Sequence, residues 1–376
     1  MITLYGAPCS LYTGKVRSYL RKHAVPFAER FQSHPRYRDA VLPAVKNRRI
    51  PVVEFDDGAM VQDSSEILDA LEKRFPHTAR PAGALRTIEL FIEAYAERSL
   101  LKAAMHYRWN FPDENRAFIV GEFGRLLAFE QGPAAWPQVG EGIAGRMSAY
   151  LPPLGIDATS IPAIEASYLK LLALLNDHFL HYPYILGDAP SRADYGLMGP
   201  LYAHLGRDPY PVRIMQQKAP MVMRWVERMN APEQHAPEYP DRALTFFDQD
   251  DLPPTFRAFL RHAVTEYAPE LGATARAFDA WIEKHPDKAS GMHLADKEDQ
   301  PSLGPIEYKL EGATVRQMSA AHTLWMLQRA QDAWNAAAAR DTDRARAILA
   351  DAGGAHLLDL KLARRLTRID NKLAIA

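Results

Sequence analysis

Ala7-Pro8-Cys9-Ser10-Leu11-Tyr12-Thr13-Gly14-Lys15-Val16-Arg17 is the stretch whose reading decides the fold. Just before it, Ile2-Thr3-Leu4-Tyr5 alternates and is rich in strand formers, which predicts a β-strand. Val16, Tyr19, Leu20 and His23 recur at i, i+3, i+4 and i+7, which predicts a helix over residues 12–24. Cys9 and Ser10 therefore stand at a helix N-terminus, where free N–H groups and the helix dipole favour an anion.

The pattern continues outward. Pro26-Phe27-Ala28-Glu29-Arg30 reads as a second strand, and a loop and helix follow over 35–45. Residues 51–55 form an apolar strand, Asp56-Asp57-Gly58 a hairpin turn, and Ala59-Met60-Val61 the returning strand. Asp63 or Ser64 then caps a helix that carries Ile67, Leu68 and Leu71 inward and stops before Pro76. The order β-α-β-α-β-β-α is that of a thioredoxin-like fold.

The chain has 376 residues, enough for two or three domains. With 45 basic and 46 acidic side chains its formal charge is -1, which argues against a general attraction to nucleic acid or an anionic membrane. A single cysteine rules out an intrachain disulfide and a multi-cysteine metal site. The thirteen histidines show no metal-ligand spacing, so no metal is expected. No run approaches the roughly 18 apolar residues of a membrane span, and the N-terminus does not read as a signal peptide. A reducing, cytoplasmic setting is the expectation.

After a polar, proline-containing linker between Phe75 and Leu85, helical spacing dominates residues 85–105, 117–129, 164–179, 195–205 and 221–229. Ser191 and Asp194 have the spacing of a capping box. Further helices are expected at 255–260, 274–281, 320–339 and 357–369, with strand-like alternation only at 306–315 and a charged, glycine-containing loop around 296–304. The helix at 357–369 reads as amphipathic and basic, packing its leucines on its own domain. Gly140-Glu141-Gly142-Ile143-Ala144-Gly145 is a literal G-x-G-x-x-G, but no apolar strand precedes it, so it reads as a loop.

Taken with Arg49-Ile50-Pro51-Val52-Val53 and Gln62-Asp63-Ser64-Ser65-Glu66-Ile67, the opening stretch resembles the glutathione-binding half of the glutathione transferase superfamily. The resemblance covers roughly residues 1–230, and the capping box and domain order belong to it. It implies an α/β thioredoxin-like domain (1–78), an all-α transferase-type domain (85–235) and a mostly helical extension (245–376). The long tail places the chain in a bacterial-type branch. The first domain is also similar to that of type-2 prostaglandin E synthase, which carries Cys-x-x-Cys where this chain has Ser10 and Thr13.

The resemblance further implies an enzyme of the alkyl- and aryl-transferring class, a homodimer, with glutathione as co-substrate and a small electrophilic or disulfide second substrate. Three residues are candidates for the chemistry. Ser10, seven residues before Arg17, stands where serine-type transferases place a hydroxyl donor to the thiolate. Cys9 stands one position early for a cysteine-type enzyme, which would exchange disulfides and remove glutathione from substrates. Tyr5 ends the first strand, where tyrosine-type enzymes place their donor. Pro51 is expected to be cis, presenting the Val52 backbone to the cysteinyl unit of glutathione. Asp63 and Ser64 are expected at its γ-glutamyl end and Arg49 at its glycyl carboxylate. Tyr107 and Trp109 are the candidate wall for the second substrate. A non-catalytic glutathione-binding protein stays open beside these readings.

Overall fold

A computed structural model describes residues 1–76, 80–232, 236–295 and 301–376. Residues 77–79 of the linker and 296–300 of the charged loop thus lie outside the described residues. The elements run β1 (Ile2–Tyr5), α1 (Leu11–Lys22), β2 (Phe27–Arg30), α2 (Leu42–Val45), β3 (Val52–Glu54), β4 (Met60–Gln62) and α3 (Ser64–Arg74). Helices follow: α4 (Ala84–Arg98), α5 (Leu100–Trp109), α6 (Pro112–Ala128), α7 (Trp136–Ser148), α8 (Ile161–His181), α9 (Arg192–Ala203), α10 (Pro209–Lys218), α11 (Pro220–Asn230) and α12 (Pro254–Lys284). The chain closes with β5 (Pro305–Leu310), β6 (Ala313–Met318), α13 (Ala321–Ala336), α14 (Ala339–Asp351), β7 (Leu366–Ile369) and β8 (Lys372–Ile375).

The first seven elements form the thioredoxin-like domain. Its sheet has the order β2-β1-β3-β4, with β1 parallel to β2 and antiparallel to β3, and β3 antiparallel to β4. The parallel pair exists because α1 is long enough to cross back over the sheet. Val16, Tyr19 and Leu20 bury the inner face of α1, and Ile67, Leu68 and Leu71 that of α3.

Packing divides the chain into two compact units. One contains Met1–Thr78, Ala104–Leu151 and Leu197–Glu238, and the other Ala79–Ala103, Pro152–Gly196 and Tyr239–Ala376. These units cut across the segments 1–78, 85–235 and 245–376, which remain a proposal about organisation along the sequence.

In the first unit, Gly140 and its neighbours lie inside α7 rather than in a loop. The reason is a close helix crossing. A Cβ at Gly140 would stand 2.1 Å from the Val120 carbonyl oxygen, and one at Gly124 would stand 2.4 Å from that of Trp136. Each helix presents a bare backbone to the other.

In the second unit, residues 255–260 and 274–281 belong to one helix, α12, with Pro269 inside it. The alternation at 306–315 resolves into the β5–β6 hairpin. The expected helix at 357–369 is corrected: a short turn at Ala355–Leu357 is followed by loop and then the β7–β8 hairpin. Asp370 and Asn371, with φ of 48° and 62°, form the turn. Two left-handed residues match the twist of paired strands and end a helix. Leu366, Leu373, Ala374 and Ile375 are buried.

The capping box forms around its acid. Asp194 accepts from the Ser191 N–H and hydroxyl at 3.0 and 2.9 Å, and its other oxygen accepts from the Ile185 N–H at 3.0 Å. Nearby, His178 is buried between Thr255 Oγ1 (3.0 Å) and the Tyr184 carbonyl (3.1 Å). Burial pushes its pKa down to about 4. The unfolded chain takes up a proton near pH 6.5 and the folded one does not until about 4, so stability is full above 6.5 and falls as pH drops through this window. Urea midpoints of the parent should fall between pH 7 and 5, and His178→Gln should flatten that slope.

Candidate active site

The site is built on the start of α1. Ser10 is the N-cap, half-buried and in extended geometry (φ -94°, ψ 126°), and its Oγ accepts from the Thr13 N–H at 3.3 Å. This is its hydroxyl's one hydrogen bond among the described residues, so the hydroxyl proton is left to be donated. Thr13 is fully buried, and its own hydroxyl accepts from the Ala7 N–H at 3.4 Å, bracing the turn from inside.

Cys9 is held differently. Its side chain is 7% exposed and packs with Ala7, Ile119, Phe123 and Leu126. Burial pushes its thiol pKa up, against the opposing fields of Arg108 and Arg207. A thiol in that setting is a poor source of thiolate. Tyr5 is likewise spoken for. It lies in an apolar cluster with Tyr37, Val41, Val45 and Val52, and its hydroxyl donates to Glu54 Oε2 at 2.9 Å. Burial and the Glu54 carboxylate both raise its pKa, while Glu54 in turn accepts from Arg36.

The candidate residues for holding glutathione flank the β3–β4 hairpin. The Ile50–Pro51 bond is cis, as the resemblance implied. Pro51 is buried, and Val52 opens β3 opposite both Tyr5 and Gln62. Arg49 is exposed, with its N–H on Asn47 Oδ1 at 2.9 Å, while Asn47 donates to Gln62 Oε1 at 3.2 Å. Asp63 is the N-cap of α3 at φ 80°, a conformation side-chain-bearing residues rarely adopt. Its carboxylate accepts from the Ser65 and Glu66 N–H groups at 2.9 and 3.4 Å. Those two donors are therefore not open to a ligand carboxylate. Lys15, 1% exposed, donates to Ser65 Oγ at 2.8 Å and so ties the two helix starts together.

Tyr107 and Trp109 do not share a wall. Tyr107 is buried in a three-ring stack with Phe111 and Tyr210. Trp109 stacks on Phe123 at 6.2 Å and packs against the cluster that contains Cys9. Trp109 thus adjoins the start of α1 and Tyr107 faces another cluster, because consecutive odd positions on a helix diverge by about 200°.

Residues that sequence patterns did not bring together complete the surroundings. The Arg108 guanidinium is clamped by Asp208 and also donates to the Ala203 and Cys9 carbonyls. Arg207 pairs with Glu122 at 2.6 Å. His204 contacts the Ala104 carbonyl at 3.1 Å, and burial holds it neutral, its pKa well below the ordinary value. These partners lie about a hundred residues apart, so no local spacing announces them. Among the described residues no group of three or more metal-ligating side chains is arranged to hold an ion, and no helix is long and apolar enough to cross a membrane.

Two family descriptions match the chain: the glutathione S-transferase N-terminal domain over residues 4–80 and the glutathione S-transferase C-terminal domain over residues 145–233. These two stretches are domains of the glutathione S-transferase superfamily. No curated protein matches its sequence. Among solved structures it is similar to a glutathione S-transferase from Xanthobacter autotrophicus Py2, at 19% identity over 61% of this chain and 93% of that one, with a TM-score of 0.30. A glutathione transferase family member from Pseudomonas fluorescens Pf-5, with bound glutathione, is 21% identical over 63% and 96%, with a TM-score of 0.32. Beta-etherase LigF from Sphingobium sp. strain SYK-6 is 17% identical over 61% and 95%, with a TM-score of 0.37. These likenesses are remote, and the family assignment of the two domains rests on their matches together with the sheet.

Proposed function

We propose that this protein is a glutathione transferase in which the Ser10 hydroxyl donates to the glutathione thiolate, which then attacks a small electrophile. The observation that carries the proposal is the state of Ser10, the half-buried N-cap whose hydroxyl accepts from Thr13 and keeps its proton for an outside acceptor. A free thiol of pKa near 8.5 is only a few per cent ionised at pH 7. Lowering that pKa by two units takes about 2.7 kcal/mol. One charge-assisted hydrogen bond supplies about 1.5–3 kcal/mol, and the dipole of α1 adds to it.

In this reading the Val52 backbone meets the cysteinyl unit, Ser64 the γ-glutamyl carboxylate and Arg49 the glycyl carboxylate. Trp109 and Phe123 line the approach of the second substrate, which is flat and apolar to match them. The Ser10 donor adds nothing to a disulfide-exchange enzyme, whose thiolate would have to come from the buried Cys9. A cytoplasmic homodimer belongs to the proposal on family resemblance alone.

Calorimetry with glutathione, followed by conjugation assays with activated aryl halides and enones, tests it. Ser10→Ala should lower kcat/KM roughly 10- to 100-fold, the loss of one charge-assisted hydrogen bond, with Cys9→Ala near the parent. Activity that instead vanishes with Cys9→Ala points to disulfide exchange. Glutathione binding with no turnover of any electrophile or mixed disulfide points to a binding protein. No affinity at millimolar glutathione ends the proposal.

A further inference from the structure

We infer that Arg108 is a positioning residue for Ser10, anchoring the Cys9–Ser10 peptide and thereby setting where the Ser10 hydroxyl points; the inference rests on the function proposed above. Arg108 is 3% exposed on α5. Its Nε and Nη2 grip Asp208 Oδ2 and Oδ1 at 2.6 and 2.9 Å, and Nη2 also donates to the Ala203 carbonyl at 2.8 Å. Three contacts on a planar fork leave the guanidinium little freedom. Its remaining nitrogen, Nη1, donates to the Cys9 carbonyl at 3.2 Å.

That carbonyl belongs to the peptide that ends at the Ser10 nitrogen. The N–H of the same peptide donates to the Ala7 carbonyl at 3.2 Å. A peptide is planar, so a bond at each edge stops it from turning. The Ser10 Cα is the last atom of that plane, so its position is thereby held, and with it the point from which Oγ reaches over the Thr13 N–H. Misplacing a reacting group by about 1 Å costs up to 10²-fold in rate. The ionisable groups around the guanidinium are Asp208, Arg207 with its partner Glu122, the neutral His204 and the Cys9 thiol.

The readout is the pKa of bound glutathione, followed by thiolate absorbance near 240 nm. S-methylglutathione, which has no thiol to ionise, serves as the binding control. Arg108→Met alone leaves Asp208 buried without its guanidinium clamp, so the neutral pair Arg108→Met/Asp208→Asn is used, with Arg108→Lys as a second variant that keeps charge and loses the fork. The neutral pair is expected to raise the bound-thiol pKa by about one unit, and Arg108→Lys by less, while S-methylglutathione affinity stays within about threefold. In a Ser10→Ala background the same changes should have no further effect on the pKa, because the group they position is gone. A pKa unmoved in both Arg108 variants, or a shift that persists undiminished without Ser10, overturns the inference while leaving the proposed function intact. A parent protein that does not lower the thiol pKa removes the proposed function and the inference with it.

Discussion

Glu270→Ala is expected to lower the stability of the protein by about 3–5 kcal/mol, the range for removing one partner of a buried ion pair. Glu270 sits on α12, 1% exposed, and four side chains converge on it. Arg98 pairs with it, Lys102 donates at 2.6 Å, Gln317 at 2.7 Å and the Tyr308 hydroxyl at 3.2 Å. These come from α4, α5 and both strands of the β5–β6 hairpin, so one carboxylate ties together three parts of its unit. Alanine would take away the carboxylate that the Arg98 guanidinium and the Lys102 ammonium both pair with. Burial opposes ionisation of Glu270, but Arg98 and Lys102 outweigh it and hold its pKa down at about 2. The unfolded carboxyl titrates near 4.5. The stabilisation is therefore complete above pH 4.5 and is lost as pH falls from there toward 2, about 3 kcal/mol in all. Denaturant midpoints at pH 7 and pH 3 check both statements. Glu270→Gln keeps the volume and removes the charge, so its midpoint should lie between those of parent and alanine variant and lose this part of the acid dependence. An alanine variant as stable as the parent would show that Arg98 and Lys102 find water or other acceptors.

The contrast between Glu270 and Ser10 shows what was legible in the sequence. Ser10 and Asp63 cap helices as their residue types favour, while the cis bond at Pro51 was legible through the family resemblance. The first domain was readable for those reasons, down to its strand order along the chain. Leu357, Leu358, Leu360 and Leu362 mimic a helical stripe, but Asp370-Asn371 is a turn pair, and the hairpin it closes won because two β-forming runs flank it. Gly140 reads as a loop residue until Val120 is placed beside it, since a glycine chosen for close helix packing looks the same as one chosen for flexibility. Arg108 with Cys9, and Lys102 with Glu270, are 99 and 168 residues apart. Only tertiary structure pairs such charges.

Asp194→Ala carries the second large effect, expected at about 3 kcal/mol and greater than the loss of an ordinary exposed cap. An exposed cap lost to alanine costs about 1 kcal/mol, because water replaces the side-chain oxygen. Asp194 is fully buried, so water does not. Its two oxygens satisfy three donors: the Ser191 N–H, the Ser191 hydroxyl and the Ile185 N–H. The last lies nine residues upstream, in the turn at Ile185-Leu186 that the Tyr184–Gly187 bridge closes. The carboxylate therefore closes both the start of α9 and the loop that leads into it. Alanine strands two backbone N–H groups in the interior, at about 1–3 kcal/mol each before relaxation. Asp194→Asn is the sharper test. Its amide offers one acceptor oxygen and one NH2, and whichever way it is turned the NH2 faces a backbone N–H. Asparagine, nearly the same shape, should thus recover little of the alanine loss. Ser191→Ala removes a single hydroxyl and should cost about 1 kcal/mol. Thermal and urea unfolding of the three variants rank them. An asparagine variant close to the parent would mean that charge and the second acceptor are dispensable here, and that Asp194 acts by filling space.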